Sequence, residues 1–502
     1  MKQFDLVVVG SGAGLMVLEE ALNHGLRCAI IEKSKFGGTC LTKGCIPSKM
    51  LVYPADLVRE LQSSRRVGIQ TAPPQVDWQT ISRRMWEQID LHKKIEHSLG
   101  HIPNLTVYKG TGAFTGTHSM TVHYADGSPD EQLTAERFVI AAGARTMVPQ
   151  IAGLEDAGYV TSERFFGDKF PTAPYKSLAI IGGGTISAEF AHIFSAFGTK
   201  VTIIEYADEL IAKEEAEVRA FVTAQFVKHG IEVLTGSTVV SASAQGGAKR
   251  LTVQNRRTGT QSTVECEEIF VAAGIRSNAD LLAPEQAGIA LDDKGWIITN
   301  EYLETSQQHI WALGDINGKY QLRHKANYEA QILTQNLFGG EKKAVSYDVV
   351  PWAIFTHPQV AHVGMTEAQV KALGVPYAVA MNRYSEVVGG RSMGYSRQDD
   401  DNGFVKMLVC EQKKIMGVHI VGPNAAVLLQ PFVYLMNAGH KCNQNRAELL
   451  NPQEIGGLRI MCPQVGTYVP IFDSMVIHPS LSELTAWALE KLEWKDGTVK
   501  PE

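Results

Sequence analysis

Two cysteines five residues apart are the side chains in this sequence best suited to chemistry. Cys40 and Cys45 lie in the segment GGTCLTKGCIPSK, which spans residues 37–49. In a regular helix their Cα atoms would be roughly 8.5 Å apart, which exceeds the roughly 7 Å that a disulfide allows. Gly44 can supply the distorted turn that would bring them together. Because a strained small-loop disulfide is easily reduced, the pair predicts thiol–disulfide redox chemistry.

Two other interpretations of this cysteine pair are open. Buried thiols often act only as small apolar side chains, and paired cysteines can bind zinc. A zinc site needs a second pair of Cys or His residues at suitable spacing, and the sequence places none near residues 40–45. Redox catalysis is therefore favoured over both alternatives.

The cysteine pair follows the first of two segments that share one pattern. Each segment reads as a β-branched strand, a glycine turn, a helix and a second strand that ends in an acid. The first runs from Leu6 through a helix ending near His24 to Glu32, and the second from Leu178 through a helix ending near Phe197 to Glu205. Each is typical of a βαβ unit that binds a dinucleotide. The separation of about 172 residues indicates two binding domains in tandem, not a solenoid.

The glycines of these turns have a physical role that the surrounding elements support. A glycine turn lets the backbone approach a pyrophosphate, which the N–H groups at the helix start stabilise. The terminal acid can accept hydrogen bonds from a ribose. A purely structural turn is the alternative, since tight strand-to-helix turns also use glycine. Leu15 and Ser187 stand where a third glycine or alanine is expected, so the helix–strand approach should be slightly wider there.

The remaining segments and the composition narrow the class of protein. Residues 54–100 have a charged helical pattern with a break at Pro73-Pro74, and from Tyr347 short alternating runs indicate an antiparallel sheet with helices on it. The net charge of −6 and the scattered basic residues argue against nucleic-acid binding. The seven cysteines form no disulfide framework, and neither a signal peptide nor a membrane span is expected. A cytoplasmic location with mostly reduced thiols follows.

These motifs together resemble those of the class I pyridine nucleotide-disulfide oxidoreductases, among which the dihydrolipoamide dehydrogenase type is the most similar. GGTCLTKGCIPSK resembles the family's redox-active motif, and Ile310–Asp315 its second FAD motif. The resemblance covers roughly residues 1–440 and 472–490. It implies an α/β fold with two tandem Rossmann-like domains, for FAD and then NAD, followed by a C-terminal α+β dimerisation domain.

The same resemblance implies domain limits. An FAD-binding domain would span residues 1–147 and an NAD-binding domain residues 148–277. Residues 278–346 would complete the FAD site, and residues 347–502 would form the dimerisation domain. Residues 441–471 are much longer than the family's usual link and are expected to be an insertion. An N-terminal lipoyl domain is not expected.

Catalytic roles are implied residue by residue. Cys45 would be the thiol beside the flavin, able to form a charge-transfer contact, and Cys40 would exchange with the substrate. Lys49 and Glu189 would form an ion pair beside the reactive flavin nitrogen. His478 would be the acid–base group, with its tautomer fixed by Glu483, and it would serve the cysteines of the other subunit of a homodimer.

Cofactor-binding residues are implied in the same way. The FAD site would use Gly10, Gly12, Gly14, Glu32, Lys33, Gly38, Thr39, Lys49, Gly112, Ala142, Gly143, Asp315, Gln321, Leu322, His324 and Ala326. The NAD site would use Gly182, Gly184, Ile186, Glu189, Glu205 and Gly274. No metal site is expected.

The choice within the family depends on a few positions. Glu205 bonds free ribose hydroxyls and repels a 2′-phosphate, so NAD(H) is favoured over NADP(H). The sequence after Cys462 has no cysteine pair of the mercuric reductase kind, and Glu205 disfavours glutathione reductase.

Dihydrolipoamide dehydrogenase activity is the leading expectation, with a small-molecule or lipoyl-protein substrate. A mycothione or other low-molecular-weight disulfide reductase, a quinone-reducing diaphorase and a redox sensor without turnover are the alternatives. Ile275, where an arginine is usual, is a departure from the family pattern.

Overall fold

The computed structural model describes residues 2–438, 466–472, 476 and 480–495. The chain forms two compact units, each assembled from three separate segments. The first unit comprises Met1–Leu51, Asp77–Pro174 and Glu268–Ser346, and the second comprises Val52–Val76, Tyr175–Glu267 and Tyr347–Glu502. The predicted base His478 and most of the predicted insertion, residues 441–465, lie outside the described residues. The domain limits given above stay predictions.

The first unit contains a seven-stranded sheet with a mainly parallel centre. The strand Lys2–Val9 lies between Cys28–Ile31 and Glu131–Ile140 and is parallel to both. The order across the sheet is Leu105–Tyr108, Cys28–Ile31, Lys2–Val9, Glu131–Ile140, Ser119–His123 and Thr111–Gly116, with Ile310–Ala312 also pairing with Glu131–Ile140. Two short strands, Ala144–Thr146 and Ile275–Ser277, form a separate antiparallel pair, and Glu268–Val271 completes the strands of this unit.

Helices flank these strands in the order that the sequence pattern predicts. Val8 and Ile30 are fully buried, because the central strands of a parallel sheet are covered on both faces. The α-helices are Gly14–Asn23, Gly38–Thr42, the start of Cys45–Ser63, Trp78–Ile89, Leu91–Leu99, Leu154–Ala157, Ser162–Phe165 and Arg323–Phe338. The 3₁₀ helices are Ala279–Leu281, Pro284–Ala287 and Gly314–Asn317.

The second unit contains the second βαβ segment and a larger antiparallel sheet. Ser177–Ile181, Lys200–Ile204 and Glu232–Leu234 are parallel neighbours. Ser237–Gln245, Ala248–Asn255 and Gln261–Cys266 form a three-stranded antiparallel sheet. The six-stranded sheet has the order Trp352–Ile354, Val360–Gly364, Ile415–Val421, Phe404–Cys410, Tyr377–Arg383 and Glu493–Trp494.

Two helices of the second unit are tied to its βαβ segment and to its six-stranded sheet. Thr185–Ala196 follows the glycine turn, and Ala425–Ala438 packs its buried residues into the core of the six-stranded sheet. The other α-helices are the end of Cys45–Ser63, Ala216–Lys228, Glu367–Leu373, Val388–Ser392, Val469–Phe472 and Ser482–Ala486. The 3₁₀ helices are Ser64–Val67, Tyr384–Glu386 and Trp487–Lys491.

The strands Phe404–Cys410 and Ile415–Val421 pair antiparallel, as the alternating runs predict. Every residue of Phe404–Cys410 and Ile415–Val421 is buried, so these strands are covered on both faces although their sequences alternate. Cys28, Cys40, Cys45 and Cys266 form no disulfide, as expected for mostly reduced thiols, whereas Cys410 is disulfide-bonded.

Within the described ranges, no helix combines the length and the apolar character needed to cross a membrane.

Candidate active site

The redox segment of the first unit is interrupted where the sequence requires it. The helix Gly38–Thr42 ends before Lys43, and a new helix begins at Cys45. A Cβ atom on Gly44 would lie 3.1 Å from the carbonyl oxygen of Thr39, so a larger residue would crowd this turn. Cys40 and Cys45 therefore belong to two different helices, and the spacing of a regular helix does not hold them apart.

The two thiols interact electrostatically. A hydrogen bond from Cys45 is the main cause that lowers the pKa of Cys40 to about 7, and the cations Arg323 and Lys49 lower it further. The N–H of Ile46, at the start of the second helix, acts in the same direction. Cys40 is half-buried and Cys45 is exposed. Since the thiolate is the nucleophile in disulfide exchange, this environment prepares Cys40 to react near neutral pH.

The first glycine turn forms a cradle that larger residues would block. Gly10 has φ = 99°, and a Cβ atom there would lie 2.3 Å from the carbonyl oxygen of Ala141. A Cβ atom on Gly38 would lie 2.7 Å from the Cα of Gly12. A close approach of helix to strand occurs at Gly14, whose added Cβ would lie 2.8 Å from Val8. The wider approach expected at Leu15 and Ser187 stays a prediction.

The carboxylates at this end of the sheet suit a sugar and a polyol. Glu32 accepts hydrogen bonds from the backbone and hydroxyl of Ser11, at 3.0 and 2.7 Å, and from the N–H of Ser34 at 2.9 Å. Burial raises the pKa of Asp315 to about 6, because its charge lacks solvent. Hydrogen bonds from ligand hydroxyls would relieve that cost. The glycine cradle, Glu32 and Asp315 therefore fit the adenosine, pyrophosphate and ribityl parts of FAD.

A buried network holds the loop that carries Asp315. Lys325 donates to the carbonyl oxygen of Gly314 at 3.0 Å and to Asn317 at 2.7 Å, and it pairs with Glu329 at 3.0 Å. Glu329 accepts from the N–H of Gly314 and from Asn317. The side chains of Lys325 and Glu329 are 1% and 0% exposed. Lys325 lies between His324 and Ala326, which the family resemblance implies for the FAD site, but its ion pair with Glu329 was not predicted.

The other predicted FAD residues also lie in the first unit. Ala142 is held by Asn278, whose side-chain amide donates to the carbonyl oxygen of Ala142 at 2.8 Å. Gln321 donates to Gly318 at 3.1 Å. The remaining residues of this set in the first unit are Lys33, Thr39, Lys49, Gly112, Gly143, Leu322, His324 and Ala326. Gly274, predicted for NAD, lies in this unit as well, where its carbonyl accepts from the N–H of Met147 at 2.9 Å.

The second glycine turn lies in the second unit. Gly182 has φ = 109°, and the helix beginning at Thr185 follows. Glu205 accepts hydrogen bonds from the N–H groups of Gly183 and of Ala207, which orients its carboxylate at the end of the strand. Gly184 and Ile186 are in the same turn. This arrangement fits the adenosine ribose and pyrophosphate of a nicotinamide dinucleotide.

Two arginines near these sites were missed by sequence reasoning. Arg323 lies beside the first turn, with its Nη1 atom 3.7 Å from a Cβ placed on Gly12. Arg256 stacks on the ring of Tyr206 at 3.6 Å and donates to its carbonyl oxygen. Neither arginine belongs to a motif, so only the fold could reveal its position.

Glu189, Lys49 and Glu483, which the resemblance implies for catalysis, each form a hydrogen bond. Glu189, in the second unit, accepts from the N–H of Phe355 at 3.1 Å, and Lys49, in the first unit, donates to Ser48 at 3.1 Å. Glu483 is fully buried and accepts from the N–H of Ser480 at 3.4 Å. The Lys49–Glu189 and His478–Glu483 pairs stay predictions.

Comparison with known proteins identifies the family. The family model described as pyridine nucleotide-disulphide oxidoreductase matches residues 4–330, and the model of its dimerisation domain matches residues 350–453. The chain belongs to the pyridine nucleotide-disulphide oxidoreductase family. It is a flavin-dependent enzyme that uses a pyridine nucleotide, and it has the α/β architecture that the sequence predicts.

Several relatives are similar over most of their length. Mycothione reductase from Mycobacterium tuberculosis is 34% identical over 447 residues, covering 88% of this chain and 94% of the relative. Dihydrolipoyl dehydrogenase from Bacillus subtilis is 30% identical, with 85% and 90% covered. The Cu(II) complex of the HOCl-induced flavoprotein disulfide reductase RclA from Escherichia coli superposes with a TM-score of 0.80 at 25% identity, covering 98% and 99% of the two chains.

Proposed function

We propose that the enzyme couples NAD(H) to the interconversion of a small dithiol and its disulfide, with dihydrolipoamide as the substrate. The observation that carries this proposal is the Cys40–Cys45 pair, in which the pKa of Cys40 is lowered to about 7. The IPSK sequence after Cys45 is the form found in the dihydrolipoamide dehydrogenase type, and the B. subtilis relative has that name. A free or lipoyl-protein-bound substrate is compatible with this chemistry.

The two cysteines alone supply the electrons and bonds needed to reduce a substrate disulfide. The Cys40 thiolate attacks one sulfur of the substrate disulfide, forms a mixed disulfide and releases one thiolate. Cys45 loses its proton and attacks Cys40, which releases the second thiolate and leaves a Cys40–Cys45 disulfide. FAD, when bound, supplies the two-electron connection between the nicotinamide and this pair. His478, with Glu483, would exchange the protons, and the reverse sequence oxidises a dithiol.

NAD(H) is proposed because of the carboxylate of Glu205. Its orientation by the N–H groups of Gly183 and Ala207 leaves it at the strand end, where it would accept from ribose hydroxyls and repel a 2′-phosphate. Arg256 is the nearby cation that could favour the phosphate instead. The two dinucleotides must therefore be compared directly.

A homodimer is proposed from the dimerisation domain and from exposed apolar side chains in the second unit. Tyr53, Val427 and Tyr434 are 62%, 72% and 68% exposed, which is costly for a surface that stays in water. A cytoplasmic location is proposed because Cys28, Cys40, Cys45 and Cys266 are thiols that form no disulfide.

A mycothione-type disulfide reductase is the second candidate. Its support is the 34% identical mycothione reductase, which the chain matches over 94% of that relative. The redox motif suits both substrates, so substrate turnover decides between them.

The test is steady-state turnover of the FAD-loaded enzyme with NADH or NADPH and a panel of lipoamide, glutathione disulfide, a mycothiol-like disulfide and a quinone. We expect lipoamide to be preferred, NADH to exceed NADPH by about tenfold or more in kcat/KM, and Cys40→Ser to abolish disulfide turnover. Cys266→Ser, which changes a buried thiol outside the redox segment, is the matched control. Preference for the mycothiol-like disulfide would establish the second candidate. Quinone turnover alone, unaffected by Cys40→Ser, would reject disulfide chemistry.

A further inference from the structure

A row of polar residues crosses the six-stranded sheet of the second unit. Trp352 is directly opposite His362, His362 is opposite His419, and His419 is opposite Lys406 on successive antiparallel strands. Directly opposed residues project from the same face of a sheet. His362, His419 and Lys406 are 4%, 0% and 1% exposed. The row is therefore a buried polar strip in an otherwise apolar sheet.

Glu214, which precedes the helix Ala216–Lys228, contacts this strip. Its carboxylate lies 2.7 Å from Nδ1 of His362 and accepts from the indole N–H of Trp352 at 2.5 Å. One ligand atom from each of Glu214, His362 and His419 lies within 4.8 Å of the other two. Two imidazoles and a carboxylate are a donor set that binds divalent transition metals, Zn²⁺ in particular.

His419 presents a nitrogen that is unsatisfied. Its Nε2 lies 2.9 Å from the carbonyl oxygen of Met365 and therefore donates to it. This leaves Nδ1 as the lone-pair nitrogen, which is buried and has no hydrogen-bond partner in the described part of the chain. An imidazole that donates to a backbone carbonyl with one nitrogen and leaves the other bare is the arrangement found in metal-binding histidines.

A nearby positive charge would stabilise the buried carboxylate of Glu214. Its carboxylate is 2% exposed, and among the described residues no lysine or arginine pairs with it. Lys406 instead pairs with Glu215, Glu217 and Glu367 at 3.4, 2.7 and 2.6 Å. A buried carboxylate whose side-chain partners are an imidazole and an indole is costly, and a metal ion would compensate its charge.

We propose that Glu214, His362 and His419 bind one divalent transition-metal ion, with Zn²⁺ as the preferred class. Tetrahedral ligands about 2.0–2.2 Å from zinc lie about 3.3 Å apart, so small side-chain movements would complete the site. The ion would tie the segment before the helix Ala216–Lys228 to two strands of the sheet, a stabilising role separate from the redox chemistry.

The test uses the full-length, FAD-loaded protein in a Cys40→Ser/Cys45→Ser background, which removes the redox thiols as competing zinc ligands. The protein is stripped with a chelator, incubated with Zn²⁺ and desalted, and its metal content and Tm are measured. We expect His362→Gln and Glu214→Gln each to lose one equivalent of zinc per chain and the zinc-dependent rise in Tm. His24→Gln changes an exposed histidine and should keep both. Co²⁺ loading gives a second readout, since visible d–d absorption of a tetrahedral site should disappear in both variants.

Circular dichroism and FAD content verify that the variants are folded, and Gln retains hydrogen-bonding capacity at both positions. The proposal is overturned if the parent protein retains no zinc. It is also overturned if folded His362→Gln and Glu214→Gln retain as much zinc as the parent, because the cluster would then be a hydrogen-bonded network only. Neither outcome depends on which disulfide the enzyme reduces.

Discussion

At the scale of single residues, the contrast between Cys40 and Cys28 shows how environment sets thiol reactivity. A hydrogen bond from Cys45 and nearby cations lower the pKa of Cys40 to about 7, whereas burial raises that of Cys28 to about 12. At pH 7 about half of Cys40 would be thiolate, compared with a few per cent for an ordinary thiol. The same chain thus holds one prepared nucleophile and one inert thiol.

Alkylation of the dithiol enzyme tests this contrast. The rate of modification of Cys40 by iodoacetamide, followed by peptide mass mapping, should rise with pH around a midpoint near 7, because only the thiolate reacts. Cys45→Ala removes the main hydrogen bond and should move the midpoint upward, with a slower reaction at pH 7. Cys28 in the same samples should stay unmodified across this range. A midpoint that Cys45→Ala leaves in place would assign the low pKa to the cations instead.

The cysteine pair and its break at Gly44 could be predicted from the sequence, because both depend on local spacing. Arg323 could not, since it meets the cysteines only after the chain has formed the whole first unit. The contact of Arg256 with Tyr206 could not be predicted either, because it also forms only when the chain has folded.

At the scale of elements, the buried Lys325–Glu329 pair fixes the 3₁₀ helix Gly314–Asn317 to the helix Arg323–Phe338. Removing one partner of a buried ion pair leaves an uncompensated charge and costs about 3–5 kcal/mol. Lys325→Met should therefore lower the Tm and weaken FAD retention, because the loop carries Asp315. The Tm and the ratio of flavin to protein absorbance after desalting measure both effects.

Lys2→Met provides the comparison for this variant. Lys2 pairs with Glu131 at the surface, with side chains 56% and 43% exposed, and such a pair contributes only about 0–1 kcal/mol. Its Tm and flavin content should stay close to those of the parent. Equal behaviour of the two variants would show that the loop does not depend on the buried pair.

The strand–turn–helix elements were predicted to within a few residues, since β-branched runs and glycine turns are strong local signals. The burial of both faces of Phe404–Cys410 and Ile415–Val421 was not predictable. Alternation indicates one exposed face, and the residues that cover that face come from distant parts of the chain.

At the scale of the whole molecule, the proposed homodimer predicts that two inactive proteins can complement each other. If His478 of one chain serves Cys40 of the other, Cys40→Ser and His478→Ala are each inactive alone. Co-refolding should restore one intact site in each mixed dimer. His478→Ala should spare flavin reduction by NADH and slow thiol exchange by roughly 100-fold or more.

Differently tagged chains show whether mixed dimers form, and the mixture of Cys40→Ser with itself is the control. Mixed dimers without activity would mean that the base acts within its own chain. His478 follows from the family resemblance alone, because it lies outside the described residues, so this experiment tests the sequence prediction directly.

The interleaving of the two units has a consequence for biosynthesis. Because the first unit ends at Ser346, it cannot be completed until roughly 15–60 s after Cys45 has been synthesised, at about 5–20 residues per second. During this interval Cys40 and Cys45 are carried on an incomplete unit. The loop between them is the shortest that any two cysteines of the chain can close, and short loops cost the least entropy to close. We therefore expect an oxidant that reaches the nascent chain to join Cys40 and Cys45 before it joins either of them to a more distant cysteine.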